Sequence, residues 1–376
     1  MTAMQGWMER PRSWQSARGG RLIAPGALMA LLLAVLFVAL LLGVGVGQFS
    51  IAPGDSIAIL LDRMHLLAPI QTALGWIGID WQASYTEQES SVLWAIRLPR
   101  VVQAAIVGGG LAIAGASLQG VFRNPLADPG VIGVSAGASL GAVASIVFGL
   151  TMFGQFTTPM IAFVAAMLTT MLVFSLSRHN GKTEVVTLIL TGVAINAIAG
   201  ALVGLIITVA NDAELRSITF WSLGSVGGAT WESVAAMAPF AILGFLMLPR
   251  WGNALNLFVL GEHDARHLGV DTEKIRIGVL LLSAAVVGSS VAFTGTISFI
   301  GLVVPHAIRL VAGPDHRVLL PASAIGGAAL LMLTDLAART VAAPIEIPLG
   351  VVTALIGGPV FLLLLDRTRR QVGGWG

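Results

Sequence analysis

The sequence predicts an all-α polytopic membrane protein, and three observations carry that prediction. Hydrophobic residues make up 56% of the 376-residue chain and charged residues only 11%, with a mean hydropathy of +0.88; a soluble domain is nearer a quarter charged. Ten apolar segments can be drawn along the chain. The basic residues fall unevenly between alternate connections. Helices are the expected spanning form because lipid leaves loose backbone groups without partners, and no ten-residue alternating strands occur.

The first segment, Leu22 to Gly47, follows Arg10, Arg12, Arg18 and Arg21. A signal peptide starts similarly, but its apolar core is only ~7–15 residues. This run can cross a ~30 Å hydrocarbon core and reads as an uncleaved first helix. The connection at 48–96 carries Asp55, Asp62, Asp80, Glu87 and Glu89. Its apolar stretch from Leu66 to Ile79 contains Pro69, is short for a span, and is assigned to the outer interface. Further spans follow at 98–120, 130–150, 159–176 and 185–209. The segment from Asn211 to Trp231 reads as an outer connection with a short surface helix. Spans at 234–249, 275–294, 298–312, 318–339 and 348–366 complete the set. The expected organisation is a tail at 1–21, one membrane domain at 22–366 with a cytoplasmic segment at 250–274, and a tail at 367–376.

With both termini cytoplasmic, sixteen of the 21 Lys and Arg fall inside and five outside: Arg63, Arg97, Arg100, Arg216 and Arg339. The positive-inside bias favours this orientation. The net charge of +2 and pI of about 9.6 then reflect basic loops and imply no nucleic-acid partner. No cysteine is present, which excludes disulfides and thiolate chemistry. Gly133, Gly137 and Gly141 repeat every four residues as a close-packing stripe; Gly200 with Gly204, and Gly110, Ala114 and Gly115, repeat the pattern.

Six blocks occur in order: RLPR at 97–100, QGVFRNPLADPGVIGVSAGASLG at 119–141, GEHDARHLGV at 261–270, GTISFIGLVVPHAIR at 295–309, GPDHR at 313–317 and EIPLG at 346–350. Together they resemble the permease subunits of the cobalamin, ferric-siderophore and haem ABC importers, over about Gln48 to Asp366. The resemblance implies the type II ABC importer permease architecture, a homodimer of ten-span subunits in a bacterial inner membrane, and a pathway on the dimer axis. It also implies two cytoplasmic ATPase subunits and a periplasmic binding protein. ATP belongs to the partner subunit, no cofactor is held permanently, and the cargo is haem or another ferric chelate, with cobalamin the further alternative. The block from Asn124 to Gly130 looks closest to the haem branch.

By resemblance, Gly261, Glu262, Ala265, Arg266, Leu268 and Gly269 form the coupling helix for the ATPase. The loop of Arg178, His179, Asn180, Gly181, Lys182 and Thr183 closes the inner end of the pathway. Arg97, Arg100 and Arg339 meet acidic residues of the binding protein. Exposed arginines suit that task because they form bidentate carboxylate pairs and fix register; the competing reading pairs them internally with Asp335 or Glu346. Asn196 is a candidate for lining the pathway or for bonding helices together, since polarity within a span is costly. Gln119 and Asp335 share that cost, and Asp335 is expected to pair with Arg339.

Three patterns mislead. His263 and His267 are spaced like a zinc-protease helix, but the second position is Asp264 rather than Glu and a third ligand is missing. Gly181-Lys182-Thr183 ends like a phosphate loop, yet Leu176 stands where that loop needs Gly. His306 lies at the inner end of a span, in a block shared with cobalamin permeases, and is not expected to ligate haem. No catalytic or metal residues are therefore assigned. A rival class, the ion-coupled secondary transporter, needs mid-membrane titratable groups, of which Asp335 is the one candidate.

Overall fold

The computed structural model describes residues 23–372 other than 48, 50, 64, 66, 77–83, 180 and 181. The expected tail at 1–21 lies outside them. The chain is helical almost throughout: α1 (Pro25–Gly45), α2 (Pro53–Arg63), α3 (Leu67–Trp76) and α4 (Glu87–Val92) precede a π-helical turn, Leu93–Arg97, that leads into α5 (Leu98–Phe122). Then come α6 (Val134–Val147), α7 (Thr157–Leu176), a hairpin of β1 (Arg178–His179) with β2 (Lys182–Thr183), α8 (Val185–Ile207) and α9 (Asp212–Leu223). The rest comprises α10 (Trp231–Met247), α11 (Gly252–Phe258), α12 (Glu262–His267), α13 (Thr272–Thr294), α14 (Ile300–Ala312), α15 (His316–Thr340) and α16 (Leu349–Val372).

Each expected span coincides with a helix. Among the described residues, seven helices are long and apolar enough to cross a membrane, and α6, α14 and part of α16 are shorter apolar helices. The 48–96 connection carries α2, α3 and α4, and the outer segment after α8 holds α9. The chain from residue 367 continues α16 to Val372 before the described residues end.

Helix α5 is the axle of the bundle, with 83% of its apolar window buried. Glycines let three neighbours approach its backbone. A Cβ on Gly108 would fall 2.2 Å from the Gly327 carbonyl oxygen of α15, one on Gly110 2.8 Å from Val286 of α13, and one on Gly115 1.9 Å from the Gly301 oxygen of α14. The same logic joins α6 to α7: a Cβ at Gly137 would lie 2.7 Å from the Ala165 oxygen, and one at Gly141 2.7 Å from the Ile161 oxygen. Gly133 differs from its sequence partners. With φ of 84° it is the left-handed N-cap of α6 rather than part of the helix. Gly200 and Gly204, expected to pack likewise, have nothing among the described residues within 4 Å of a would-be Cβ. They lie on α8, of whose apolar window only 11% is buried in the single chain.

Candidate functional site

Two polar clusters stand near opposite ends of α5. At its N-terminal end, the arginines expected to be exposed are turned inward, with Arg97, Arg100 and Arg339 exposed by 4%, 8% and 7%. The reason lies in what surrounds them. The last carbonyls of α1 have no intrahelical donors. Arg97 Nη1 donates to Val44 O at 3.0 Å and Gly45 O at 3.1 Å, and its Nη2 to Phe49 O. Arg339 Nη2 donates to Gly43 O. Arg100 donates through Nε and Nη2 to Asp335 Oδ1 at 3.0 and 2.9 Å, and through Nη1 to Glu346 Oε1 at 2.9 Å. Asp335 also lies 3.6 Å from Arg339 Nε, the one-turn pairing the sequence suggests. Of the two carboxylates, Glu346 alone is substantially exposed, and it borders a cavity of about 270 Å³ that all three arginines line.

At the other end, Leu255 of α11 and His316 of α15 both lie against Gly120, close to the C-terminus of α5. Here α12 forms one short turn and a half between Gly261 (φ 106°) and Gly269 (φ 85°), conformations an L side chain rarely adopts. Its inner side is anchored: Ala265 is fully buried, and Arg266 donates from Nε to Thr272 Oγ1 at 2.9 Å and lies 3.4 Å from Glu262. Its outer side shows His263, His267 and Leu268, with Leu260 just before it. Ala265 and Leu268, both expected in the coupling helix, thus point different ways. The two histidine Nε2 atoms are 3.3 Å apart, and among the described residues no group of three His, Cys, Asp or Glu could hold a metal ion. In the adjoining turn, Lys274 holds the Asp271 carboxyl below the usual carboxylate range.

The hairpin of β1 and β2 meets this segment. Thr183 Oγ1 donates to Glu273 Oε1 at 2.7 Å, and Arg276 Nη1 donates to Thr183 O at 2.7 Å and Glu273 Oε2 at 3.0 Å. Arg276 Nη2 donates to Glu262 Oε1 of α12. Arg178 Nε is 4.0 Å from Glu273. Asn180 and Gly181 lie outside the described residues, as do the side chains of His179 and Lys182.

The profile of the FecCD transport family matches residues 32–367. The chain belongs to that family. Over 335 residues it is 40% identical to the hemin transport system permease protein HmuU of Yersinia pestis, covering 86% of this chain and 99% of the relative. It is 42% identical over 293 residues to the cobalamin import system permease protein BtuC of Halobacterium salinarum, covering 77% and 78%. A solved structure of an inward-facing ABC transporter assigned to the metal-chelate type superposes with a TM-score of 0.77 at 31% identity, covering 92% of this chain and all of that one.

Within this FecCD permease the remaining sequence candidates have defined neighbours. Asn196 Nδ2 donates to Gly130 O at 3.0 Å, binding α8 to the 3₁₀ turn before α6, while its Oδ1 is buried without a hydrogen bond in the described structure. Gln119 accepts from Arg309 Nη2 at 2.8 Å. His306 is buried, and neither ring nitrogen has a hydrogen-bond partner among the described residues. The sequence reading missed Arg276 and Glu273. Their spacing on α13 suggests a local ion pair, but Glu262 and Thr183 reach Arg276 only through the tertiary fold.

Proposed function

We propose that this FecCD permease is the membrane-spanning subunit of an ATP-driven importer that carries haem from the periplasm to the cytoplasm. The reading rests on one observation: α12 is pinned on its inner side and free on its outer side. A segment so held can take a push from a docked ATPase and pass it on without unfolding. Both termini and the α12 end are then cytoplasmic, in the inner membrane. Two copies of the chain assemble through faces that include the unburied α8, whose Gly200 and Gly204 leave room for a close neighbour. Two ATPase subunits cover α12, and a binding protein docks at the arginine end.

The arginine geometry refines the docking reading. A carboxylate of the binding protein would reach Arg100 by competing with the exposed Glu346, while Arg97 and Arg339 act through their hold on α1. The secondary-transporter alternative is weakened because Asp335, its one candidate, is held by Arg100 and Arg339. Haem is favoured by the near-complete coverage of the hemin permease; cobalamin is the second reading, supported by the relatives named for it.

The test is reconstitution in liposomes with the cognate ATPase and binding protein. Haem-loaded binding protein should raise ATP hydrolysis and drive uptake, and cobalamin-loaded protein should do neither. Uphill uptake by the permease alone would overturn the importer reading, and stimulation by cobalamin alone would overturn the haem assignment.

A further inference from the structure

We infer that Arg276 is the joint through which α12 and β2, at Thr183, move as one; the inference rests on the proposal that α12 receives the ATPase stroke. The guanidinium is 1% exposed and its two terminal nitrogens serve different elements. Nη2 holds Glu262 in the first turn of α12, while Nη1 holds the backbone oxygen of Thr183 at the end of the hairpin, 2.7 Å away. Both contacts are charge-assisted, which makes them short and stiff. The guanidinium is a planar fork, so its two arms cannot reorient independently. Enclosed on all sides, it cannot absorb a displacement of Glu262 by changing rotamer into solvent, and the displacement passes to Thr183. Glu273 secures the arrangement by accepting from both Arg276 Nη1 and Thr183 Oγ1.

A residue that only stabilised the start of α13 would, when replaced, lower stability and activity together. A joint uncouples instead. With Arg276→Gln, α12 keeps its buried Ala265 and its Arg266–Thr272 bond, so the ATPase still docks and turns over, but the hairpin no longer follows. Arg276 is therefore a positioning residue that ties Thr183 to α12.

The chain has no native cysteine, so single spin labels can be placed at His263→Cys on α12 and Glu184→Cys beside the hairpin. Distances between the two copies are then read in the complete complex with and without ATP. In the wild-type background both distances should change. In Arg276→Gln the α12 change should persist and the hairpin change be lost, with solute moved per ATP falling about tenfold. Glu262→Ala removes the acceptor for Nη2 but leaves Arg276 its Thr183 and Glu273 partners and should give the same uncoupling, so it decides the matter if Arg276→Gln does not fold. A hairpin change of wild-type size in either variant overturns the joint. An α12 label that stays fixed in the wild-type complex overturns the coupling reading itself, and the joint with it.

Discussion

Replacing Arg100 with glutamine separates a structural guanidinium from an interfacial one. The side chain makes three hydrogen bonds to Asp335 and a two-armed contact with Glu346. Removing it leaves the Asp335 carboxylate, 2% exposed, with Arg339 at 3.6 Å as its remaining cation. Breaking a buried pair by deleting one partner costs about 3–5 kcal/mol, because the other charge stays buried. Part of that is recovered through Arg339, so the lower half of the range is expected, roughly a few hundredfold in the folding equilibrium. The assay is SDS-induced unfolding of the purified permease in mixed micelles, with the exposed Arg216→Gln as control; that change should stay within about 0.5 kcal/mol. The double variant Arg100→Met with Asp335→Leu should regain most of the loss, since apolar residues can replace a buried pair at little cost. If Arg100→Gln costs under about 1 kcal/mol while binding-protein affinity collapses, the guanidinium faces the partner and the inward network described here is wrong.

Two further outcomes follow from particular contacts. Gly115→Ala forces a Cβ against the Gly301 carbonyl, where only backbone could yield; overpacking of this kind costs about 1–3 kcal/mol, and Gly26→Ala, where the space is open, should be neutral in the same assay. Asp315, which caps α15, is held well below the ordinary carboxylate range by its Arg317 and Asn256 hydrogen bonds. A depressed carboxylate contributes stability that is present above its unfolded value of 3.8 and is lost as pH falls through the lower folded value. Asp315→Asn keeps the cap but not the charge, so it should be less stable than wild type at pH 7, with the difference shrinking below about pH 4. A gap constant from pH 7 to pH 3 would show that the charge contributes nothing.

Much of the architecture was legible along the chain because a lipid solvent simplifies the code. Any apolar run long enough to cross must be helical, and so the ten segments match ten helices within a few residues. The glycines at 137 and 141 were readable for the same reason, as small residues are what lets helices meet in lipid. Gly261 and Gly269 bracket α12 as the motif suggests, and the family resemblance, spread over six blocks, stands. The arginines show the limit. At the outer ends of their spans, Arg97, Arg100 and Arg339 read either as exposed or as paired with Asp335 or Glu346; a linear sequence does not decide between the two, nor reveal that α1 ends its carbonyls beside Arg97. Gly200 and Gly204 show it from the other side, since their spacing repeats the packing pattern yet nothing among the described residues fills the space.

The sequence by itself determined the ten apolar helices, their membrane character and the family, since each depends on local hydropathy or on motifs read in order. The tertiary structure decided which charges are paired, which glycines are crossings, and that Arg276 joins α12 to the hairpin. Those contacts link residues up to 296 positions apart, and a buried charge takes whichever partner the packed helices bring to it.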